Sequence, residues 1–469
     1  MRSFVLLALF ALSVGTLAAQ PAEFDATFNP GAGFTGGLNS GVIYMGLQTD
    51  DKIVAVGGFG FVNGARHNCF ARLNADGSVD QSYSPATPHN WVNSLMRPFH
   101  ADGSIVAGGQ IDGTDNLYLA HVGVDGTPVA TFHSGVFDNS GYGVVMAPMS
   151  GGKIVVGGNF NKYDSVPAHR LIRLNADGTR DASFQTDSMG GWGVSGLTVQ
   201  PDGKLIVNGE FELASTPPYM HMVRLNTDGS VDTSFHIGTG FNAYVDHLLL
   251  QPDGKMIVVG DFSAYNGASA PGIARLNADG SQDGSFTPGS GYNDYVRTST
   301  LQRDGKIVSA GKFSAFDGTG RNTISRLNPD GTLDHTFEPS TGFRGSLGSV
   351  GSLGVQSDGR IIAAGWFTSY NGRAVSNIAR LVGDAAAGLT DDLNYGATLA
   401  PNPVASTFTV SSVTRIDRVT VTNARGETIA TVHPAAFSAS VDLSGHPAGT
   451  YMVTINSGKR SNTSMVVKQ

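Results

Sequence analysis

One repeated segment, recurring about every 51 residues, constrains the fold of this chain more than any other feature. Each copy contains a turn followed by an apolar run that ends in glycine, such as GGKIVVGGNF at 151–160 or PDGKMIVVGDF at 252–262. The residue after the turn occupies positions 52, 104, 153, 204, 255, 306 and 360, with spacings of 52, 49, 51, 51, 51 and 54. Seven near-equal copies, called repeats 1–7 below, indicate an architecture built from one small unit.

A second element follows the first in each repeat, with ARLNADGSVDQSY at 71–83 and VRLNTDGSVDTSF at 223–235 as examples. Each repeat is predicted to form four strands, with Asp-Gly turns joining the first to the second and the third to the fourth. Units of this kind are typical of β-propeller blades or of a related solenoid. A solenoid needs capping repeats at both ends, whereas seven is a common number of blades in a ring.

The two ends of the repeat array favour the ring. Repeat 7 stops at residue 384, before its fourth strand, and the segment Phe24–Phe28 supplies one spare copy of that strand. We therefore predict an all-β chain with a seven-bladed β-propeller over residues 20–384, closed by the N-terminal strand. Closure of this kind also removes exposed sheet edges.

A charged pair is predicted inside most blades, because an Arg precedes an Asp by eight residues in five repeats. In repeat 7, Arg380 would take Asp25 from the N-terminal strand, and in repeat 2 His121 and Val129 replace both charges. Direct opposition requires a three-residue loop such as 75–77 with its glycine left-handed, since a two-residue turn would place the side chains on opposite faces. The pairs, which we expect to be structural, are Arg72 with Asp80, Arg173 with Asp181, Arg224 with Asp232, Arg275 with Asp283, Arg326 with Asp334 and Arg380 with Asp25.

Together these motifs resemble the delta-60 repeat family of bacterial surface and secreted proteins. The shared pattern, pDGKIlvgGdF followed by RLNaDGsvDtsF, covers about residues 22–384 and is least well kept in repeat 2. The resemblance implies a β-propeller, and it implies no particular activity.

The composition changes after Asp384. Residues 385–398 are rich in Ala, Gly and Asp and predict a linker, and the short alternating runs in 399–469 predict a small β-sandwich. The sandwich segment resembles the C-terminal sorting domain of the type IX secretion system at Pro-Asn-Pro (401–403), Asn-Ala-Arg-Gly (423–426), Val-Asp-Leu-Ser (441–444), Ala-Gly-Thr-Tyr (448–451) and Met-Val-Val-Lys (465–468). The resemblance implies the type IX machinery as a partner, export across the outer membrane and removal of the domain on arrival. An ordinary carbohydrate-binding or spacer sandwich is the alternative.

The first 19 residues predict a secretory signal peptide. Arg2 gives the positive start, the apolar stretch 4–14 is too short to span a membrane, and cleavage is expected after Ala19 or, as second choice, after Ala18. No later stretch is long and apolar enough to be a transmembrane segment, so we expect a secreted or cell-surface protein. A single cysteine, Cys69, excludes an internal disulfide, and we expect it to be a small buried residue.

Charge and motif content argue against several functions. The net charge of −8, without any basic run, argues against a nucleic-acid partner. No nucleophile elbow, phosphate-binding loop or zinc motif occurs. The Asp-Gly turns offer one carboxylate each, which favours turns over calcium loops. We therefore predict no metal and no cofactor.

Candidate binding residues are expected on the longer loops, because loops on a rigid scaffold commonly carry function. Aromatic rings beside Asn266, Asp317 and Asn371 would stack on and hydrogen-bond a sugar; the alternative is that these segments only form turns and pack on the blades. The candidates are Trp91, Trp192, Tyr163, Tyr265, Tyr292 and Tyr370.

The sequence favours a non-enzymatic binding or adhesion module whose ligand is an extracellular glycan or protein. One alternative is an extracellular glycan-degrading enzyme, which would need acidic residues or metal ligands at the channel of the ring. Another is a structural surface-layer component. Two carboxylates about 5–10 Å apart in a deep cleft would favour hydrolysis, whereas a flat face lined by Trp91 and Trp192 would favour binding.

Overall fold

The computed structural model describes residues 20–36, 41–67, 69–83, 91–95, 100, 103–110, 116–138, 144–213, 219–345, 349–383, 398–400, 404–423, 427–434, 436–457 and 460–468. The predicted signal peptide, nearly all of the predicted linker and the motif residues 401–403 and 424–426 lie outside these ranges. Inside them the regular structure is β-strand, apart from one short 3-10 turn at Ser150–Gly152, which confirms the all-β class. No helix in these ranges has the length and apolar character needed to cross a membrane.

Three-stranded antiparallel units, one from each repeat, make up the main body of the described chain; the unit of repeat 2 is part of a six-stranded sheet that continues through Val136–Phe137 into the hairpin Lys162–Tyr163 with Val166–Pro167. The first strands are Val42–Leu47, Trp91–Leu95, Val144–Pro148, Met189–Val199, Val245–Leu250, Val296–Leu301 and Ser349–Val355. The second strands are Ile53–Gly57, Ile105–Gln110, Ile154–Gly158, Leu205–Leu213, Met256–Gly260, Ile307–Gly311 and Ile361–Trp366. The third strands are Phe70–Leu73, Leu117–Val122, Leu171–Leu174, Tyr219–Leu225, Ile273–Leu276, Ile324–Leu327 and Ile378–Leu381.

The core lies between neighbouring units. All five residues of the second strand Met256–Gly260 are buried, because this apolar run packs against a neighbour on each face. One core cluster joins the fifth and sixth repeats through Ile257, Val259, Phe286, Val296, Ile307 and Phe313. Face-to-face packing of small twisted sheets is the arrangement of β-propeller repeats.

The predicted fourth strand is shorter than expected: it is reduced to one bridge residue. The bridges are Leu73 with Val79, Val122 with Pro128, Leu174 with Arg180, Leu225 with Val231, Leu276 with Gln282, Leu327 with Leu333 and, in repeat 7, Leu381 with Phe24. The strand stops there because the next Asp turns the chain. In repeat 4, Asp232 Oδ1 accepts hydrogen bonds from the Ser234 backbone and hydroxyl at 3.0 and 2.7 Å.

Among the residues that the structure describes, small hairpins connect the second strand to the third in five repeats. Their strand pairs are Phe61–Val62 with Ala65–Arg66, Lys162–Tyr163 with Val166–Pro167, Ala264–Tyr265 with Ala268–Ser269, Ala315–Phe316 with Thr319–Gly320, and Ser369–Tyr370 with Arg373–Ala374. Short strands from the preceding connections, Phe34–Thr35, Val136–Phe137 and Phe343–Arg344, pair with three of these hairpins. At one hairpin tip, Asn266 and Gly267 both have positive φ, +50° and +75°, as a two-residue hairpin turn requires.

The C-terminal segment forms two sheets. One has the order Thr398–Ala400, Thr407–Ile416, Ala436–Asp442, and the other the order Thr428–Val432, Arg418–Thr422, Gly449–Ser457, Arg460–Lys468. Buried apolar residues of both sheets, among them Phe408, Val441, Val453 and Val466, share one core cluster. Two sheets that enclose one core make a small β-sandwich.

Candidate functional site

An Arg–Asp pair occurs in six of the repeats, at each position where the sequence places both charges. The Arg Nε donates to Asp Oδ2 at 2.9 Å (Arg72–Asp80), 2.7 Å (Arg173–Asp181), 2.6 Å (Arg224–Asp232), 2.6 Å (Arg275–Asp283), 2.7 Å (Arg326–Asp334) and 2.8 Å (Arg380–Asp25). All twelve residues are buried. The loop at 75–77 has three residues, with Gly77 at φ +91°, which is the geometry that direct opposition requires.

A lysine completes five of the six pairs and an arginine completes the sixth, and sequence reasoning missed this third member. In repeat 4, Lys204 Nζ donates to Asp232 Oδ2 at 2.7 Å, and the Arg224 guanidinium lies 4.5 Å from the centroid of the Phe235 ring. Arg360 takes the place of the lysine in repeat 7, at 2.8 Å from Asp25. The lysines are the residues that mark the repeat after the first turn: Lys52, Lys153, Lys204, Lys255 and Lys306. The constant spacing of 28 residues between each lysine and the Asp of the same repeat could have predicted this contact. We call each Lys–Arg–Asp set the Asp network.

The aspartate of each Asp network is ionised and paired with the cationic side chains around it. Burial opposes ionisation of Asp232, but hydrogen bonds from Lys204, Ser234 and Arg224 outweigh it and hold its pKa well below the usual range. The same balance lowers the pKa of Asp334 to about 2. Carboxylates bound in this way are poor proton donors or acceptors near neutral pH, which favours a structural role.

Repeat 2 replaces the Asp network with Ser104, His121 and Val129. His121 Nε2 lies 2.9 Å from Ser104 Oγ, and these residues occupy the Arg and Lys positions. The His121 ring also packs edge-on against Phe132, at 5.4 Å between centroids. The hairpin ladder persists, with the Val129 amide donating to the His121 carbonyl at 2.9 Å.

Four of the aromatic candidates lie in the core, which corrects the expectation that they line a binding surface. Tyr163, Tyr265, Tyr292 and Tyr370 expose only 1%, 0%, 4% and 0% of their surface. Their hydroxyls are satisfied internally: Tyr163 donates to Gly178 O at 2.7 Å, Tyr265 to Gly280 O at 2.5 Å and Tyr370 to Ala22 O at 2.6 Å, and Tyr292 Oη lies 2.8 Å from Ser325 Oγ. A tyrosine whose hydroxyl finds a carbonyl is stable in a core.

The amides beside these tyrosines serve the turns. The side-chain oxygens of Asn266, Asp317 and Asn371 accept hydrogen bonds from the backbone amides of Gly240, Ser290 and Gly342 at 3.1, 2.8 and 2.9 Å. Trp192 is 60% exposed on the strand Met189–Val199. Trp91 begins the strand Trp91–Leu95, and its side chain lies outside the described part of the structure.

A different group of side chains meets where the first strands of repeats 5 and 6 begin. Tyr295 Oη donates to Asp246 Oδ1 at 2.7 Å, across the boundary between the two repeats. The Arg297 guanidinium lies 5.3 Å from the centroid of the Trp366 ring of repeat 7. Together with Tyr244, these residues form what we call the Asp246 cluster. All five are half-buried, so they are reachable from solvent and partly shielded from it.

β-Bulges place the two charged members of the cluster. The strand register shifts between Val245 and His247, and again between Val296 and Thr298, so Asp246 and Arg297 are the extra residues of two equivalent bulges. A bulge leaves one residue outside the ladder and re-aims its side chain. The repeated bulge therefore places Asp246 and Arg297 at equivalent positions on neighbouring first strands.

Burial dominates the electrostatics of the cluster. It raises the pKa of Asp246 to about 6, assisted by the Asp261 charge and opposed by the Tyr295 hydrogen bond and the Arg297 charge. The second oxygen of this carboxyl, Oδ2, is buried and has no hydrogen-bond partner in the described structure. Burial also raises the pKa of Tyr244, with the Glu210 and Asp246 charges adding to the effect. No group of three metal-ligating side chains occurs in the described ranges.

Comparison of the repeats shows which signal would have found this cluster. Six repeats have a bulge in the first strand. The bulged residue, which follows a valine, is Ile43, Asn93, Ser195, Asp246, Arg297 and Gly351 in these repeats. The residue after the last glycine of the second strand is Gly58, Gln110, Asn159, Glu210, Asp261, Lys312 and Trp366. These positions vary while the surrounding motif is repeated, and a search for common motifs passes over them.

A shallow depression at the opposite ends of the first strands offers less chemistry. Leu47, Leu301 and Val355 line it, and its carboxylate, Asp51, is engaged by the Ser357 amide at 2.8 Å and by the Ser357 hydroxyl. This end of the first strands is therefore occupied by contacts between repeats 1 and 7.

Two family models match the chain. Residues 48–83, 152–184, 200–235, 251–286, 302–337 and 356–384 match a β-propeller domain of unknown function, DUF5122. Residues 398–469 match a secretion system C-terminal sorting domain. Both resemblances noted in the sequence are confirmed, and repeat 2, which departs most from the pattern, is the repeat without a match.

No curated protein matches the sequence. Among solved structures, PorZ, described as a bacterial surface component of the type IX secretion system of Porphyromonas gingivalis, is 12% identical with a TM-score of 0.43, over 93% of this chain and 60% of that one. The extracellular domain of a putative hybrid two-component system from B. thetaiotaomicron is 13% identical with a TM-score of 0.43, over 91% of this chain and 52% of that one. The chain thus spans less than two thirds of either protein. At these TM-scores neither likeness assigns a fold or a function to it.

Proposed function

Because the chain carries DUF5122 β-propeller repeats and a type IX secretion C-terminal sorting domain, we propose that it is an exported propeller that acts as a non-enzymatic binding or adhesion module. The sorting domain implies export to the cell surface or secretion, and contact with the type IX machinery. The remaining parts of the proposal are a signal peptide over residues 1–19, a propeller over 20–384, a linker over 385–398 and a sorting domain over 399–469. N-terminal sequencing of the secreted protein should begin at Gln20; retention of Met1 would contradict the signal peptide.

The proposed propeller has seven blades and is closed by the N-terminal strand. Three backbone hydrogen bonds support closure: Asp25 N to Arg380 O at 2.9 Å, Val382 N to Glu23 O at 2.8 Å and Ala22 N to Val382 O at 2.9 Å. The intact hairpin of repeat 3 has the same three bonds, from Asp181 N to Arg173 O, Asn175 N to Thr179 O and Gly178 N to Asn175 O, at 2.8, 2.8 and 2.9 Å. Ala22, at φ +70°, stands where the intact hairpin has its left-handed glycine. We call residues 20–28 the closing strand.

Contacts between repeats 7 and 1 support the same ring. The first strand of each unit contacts the first strand of the next, and Ser349–Val355 contacts Val42–Leu47 in the same way. Arg380 Nη1 donates to Ala75 O of repeat 1 at 2.7 Å, just as Arg224 Nη1 donates to Ala278 O of the following repeat at 2.7 Å. A hydrogen bond between the Asn29 amide and Asp76 O, at 2.8 Å, also has counterparts at the other boundaries.

At the boundary between repeats 7 and 1, an aspartate takes the place of the glycine of the first turn and makes a contact across the boundary. Asp51, at φ +63°, stands where the other first turns have glycine. Its carboxylate accepts hydrogen bonds from the Ser357 amide, at 2.8 Å, and from the Ser357 hydroxyl. A left-handed non-glycine residue costs about 1–2 kcal/mol, so the side chain has to provide a compensating interaction. We call this pair the Asp51 clasp.

The observation that carries the binding proposal is the Asp246 cluster. A carboxyl, a guanidinium, two phenols and an indole lie half-buried on consecutive repeats, and groups of this kind fix polar ligands on a rigid frame. The Asp networks, in contrast, have no charge left for a ligand. We therefore place the ligand contact of the proposed module at the starts of the first strands.

An array that carries neutral glycans, acidic glycans and extracellular matrix proteins tests this function. The purified secreted protein should bind at least one class saturably and leave it chemically intact. Release of shortened glycans would support the enzyme alternative instead, for which the specific observation is a carboxyl with a pKa of about 6, suited to a general acid. Absence of binding to every class would favour the structural surface-layer alternative.

A further inference from the structure

We propose that the Asp246 cluster binds a neutral saccharide. This inference rests on the binding function proposed above and specifies its ligand class. The cluster is defined by Tyr244, Asp246, Tyr295, Arg297 and Trp366, on the fifth to seventh repeats.

The space around Trp366 shows that this part of the structure is built to hold the indole. A Cβ atom on Gly41 would lie 2.3 Å from Trp366 Cδ1, and one on Gly351 would lie 3.0 Å from Cζ3. Repeat 1 has Gly41 where repeat 5 has Tyr244, and repeat 7 has Gly351 where repeat 6 has Arg297. The ring lies across two strand starts, beside the guanidinium of a third repeat.

The charges of the region nearly cancel, which favours a neutral ligand over a strongly ionic one. Three carboxyl side chains, Glu210, Asp246 and Asp261, stand with two cationic ones, Arg297 and Lys312, which leaves a formal charge of −1. A polyanion needs a surplus of cations, and a cationic ligand would meet Arg297 and Lys312. A neutral ligand meets neither penalty.

The hydrogen-bonding groups match a polyol. Asp246 has one oxygen bound by Tyr295 and a second, buried oxygen without a partner in the described structure, so the carboxylate keeps acceptor capacity for a ligand hydroxyl. The Arg297 guanidinium packs on the face of the Trp366 ring, a contact that leaves its in-plane N–H donors pointing away from the indole and able to bind a ligand. Carboxyl, guanidinium and phenol groups beside an aromatic face can bind adjacent hydroxyls while the apolar side of a sugar ring covers the indole.

The test uses the full secreted chain, the array of neutral glycans, acidic glycans and extracellular matrix proteins described above, and titration calorimetry with the best neutral oligosaccharide. Tyr295→Phe removes one hydroxyl and should weaken binding about fivefold, the effect of one lost hydrogen bond. Trp366→Phe, which keeps a ring in the same space, should weaken it by about tenfold through the smaller stacking surface. Tyr265→Phe is the matched control, since it removes a buried tyrosine hydroxyl outside the cluster, and it should bind like the wild type.

The outcomes separate this inference from the function on which it rests. Unchanged affinity in both cluster variants would overturn the cluster as the site and leave the binding function standing. Binding only to acidic glycans or to proteins would overturn the ligand class alone. Failure to bind any array component would overturn both proposals.

Discussion

Repeats 2 and 7 both depart from the other repeats at the Asp network, and they do so in opposite ways. Repeat 7 receives its aspartate, Asp25, from the far end of the chain and yet keeps the network around Arg380. Repeat 2 has a continuous hairpin, and Ser104, His121 and Val129 replace all three members. In repeat 2 the chain connects both sides of the hairpin, and the hairpin forms without the Asp network. In repeat 7 the two sides come from opposite ends of the chain, and this split hairpin keeps its Asp network.

The largest expected effect comes from Asp25→Ala. It leaves the buried Arg380 and the neighbouring Arg360 without their carboxylate, and loss of one partner of a buried pair costs about 3–5 kcal/mol. In addition, it loosens the closing strand, which no peptide bond connects to repeat 7. The unfolding free energy in urea, with limited proteolysis around residue 28, measures both.

Asp232→Ala is the matched control for this prediction. It removes the same charges in repeat 4, where the chain still joins the third strand to the bridge residue Val231. It should cost stability without exposing a new proteolytic site. Equal proteolysis in the two variants would contradict the difference drawn between split and continuous hairpins.

Acid should weaken the repeats that keep the network and spare repeat 2. The pKa of Asp334 is about 2, below its usual 3.8, because hydrogen bonds from Thr336 and the Arg326 and Lys306 charges outweigh burial. Its contribution is present above pH 4 and is lost as the pH falls toward 2, which amounts to about 2 kcal/mol. Unfolding free energies at pH 7 and pH 2.5 measure it, and Asp334→Asn should flatten the dependence. Val129, at the same position in repeat 2, does not ionise and makes no pH-dependent contribution to stability.

A smaller effect is expected from the Asp51 clasp. Asp51→Gly removes two hydrogen bonds to a charged group, but it also relieves a left-handed aspartate, so we expect a net loss of about 1–2 kcal/mol. Ser357→Ala keeps the backbone strain and removes one donor, and should cost about 1 kcal/mol. Thermal unfolding compares the variants. A more stable Asp51→Gly protein would show that the clasp does not hold the boundary between repeats 7 and 1.

The smallest effect is expected when repeat 2 is given the network that it lacks. The combined change Ser104→Lys, His121→Arg and Val129→Asp introduces buried charges whose desolvation nearly offsets their attraction, so stability should change by less than about 1 kcal/mol. Urea unfolding measures the change. A gain of several kcal/mol would mean that the network stabilises continuous hairpins as strongly as the split one.

Much of the scaffold could be predicted from the sequence because the repeats amplify it. Equal spacing located the three-stranded units, and the eight-residue separation of Arg and Asp predicted contacts such as Arg380 with Asp25. The fourth strand was overestimated, because an alternating pattern does not show that the Asp side chain will turn the backbone. Tyr265 and its equivalents were misplaced because a buried carbonyl at the right distance, here Gly280 O, is a property of the fold alone.

The candidate site was harder to predict than the scaffold, for a physical reason. Asp246 and Arg297 act through their neighbours on other repeats, Tyr295 and Trp366, which lie 49 and 69 residues further along the chain. Only the bulges seen in the structure show that these residues occupy equivalent positions on their first strands. Differences between the repeats, more than their common motif, therefore carry the information about function.

The split hairpin has a mechanical consequence. Ala22 is hydrogen-bonded to Val382, so the amino end of the described chain and the residues that lead to the sorting domain meet at one point. A pull on either end of the proposed ring enters at the same hairpin, and the closing strand, which is joined there only by side-chain and backbone contacts, bears the tension first. If the protein is tethered through its C-terminal side, the strength of its anchorage therefore depends on the backbone hydrogen bonds of the closing strand and on the ion pairs of Arg380 and Arg360 with Asp25.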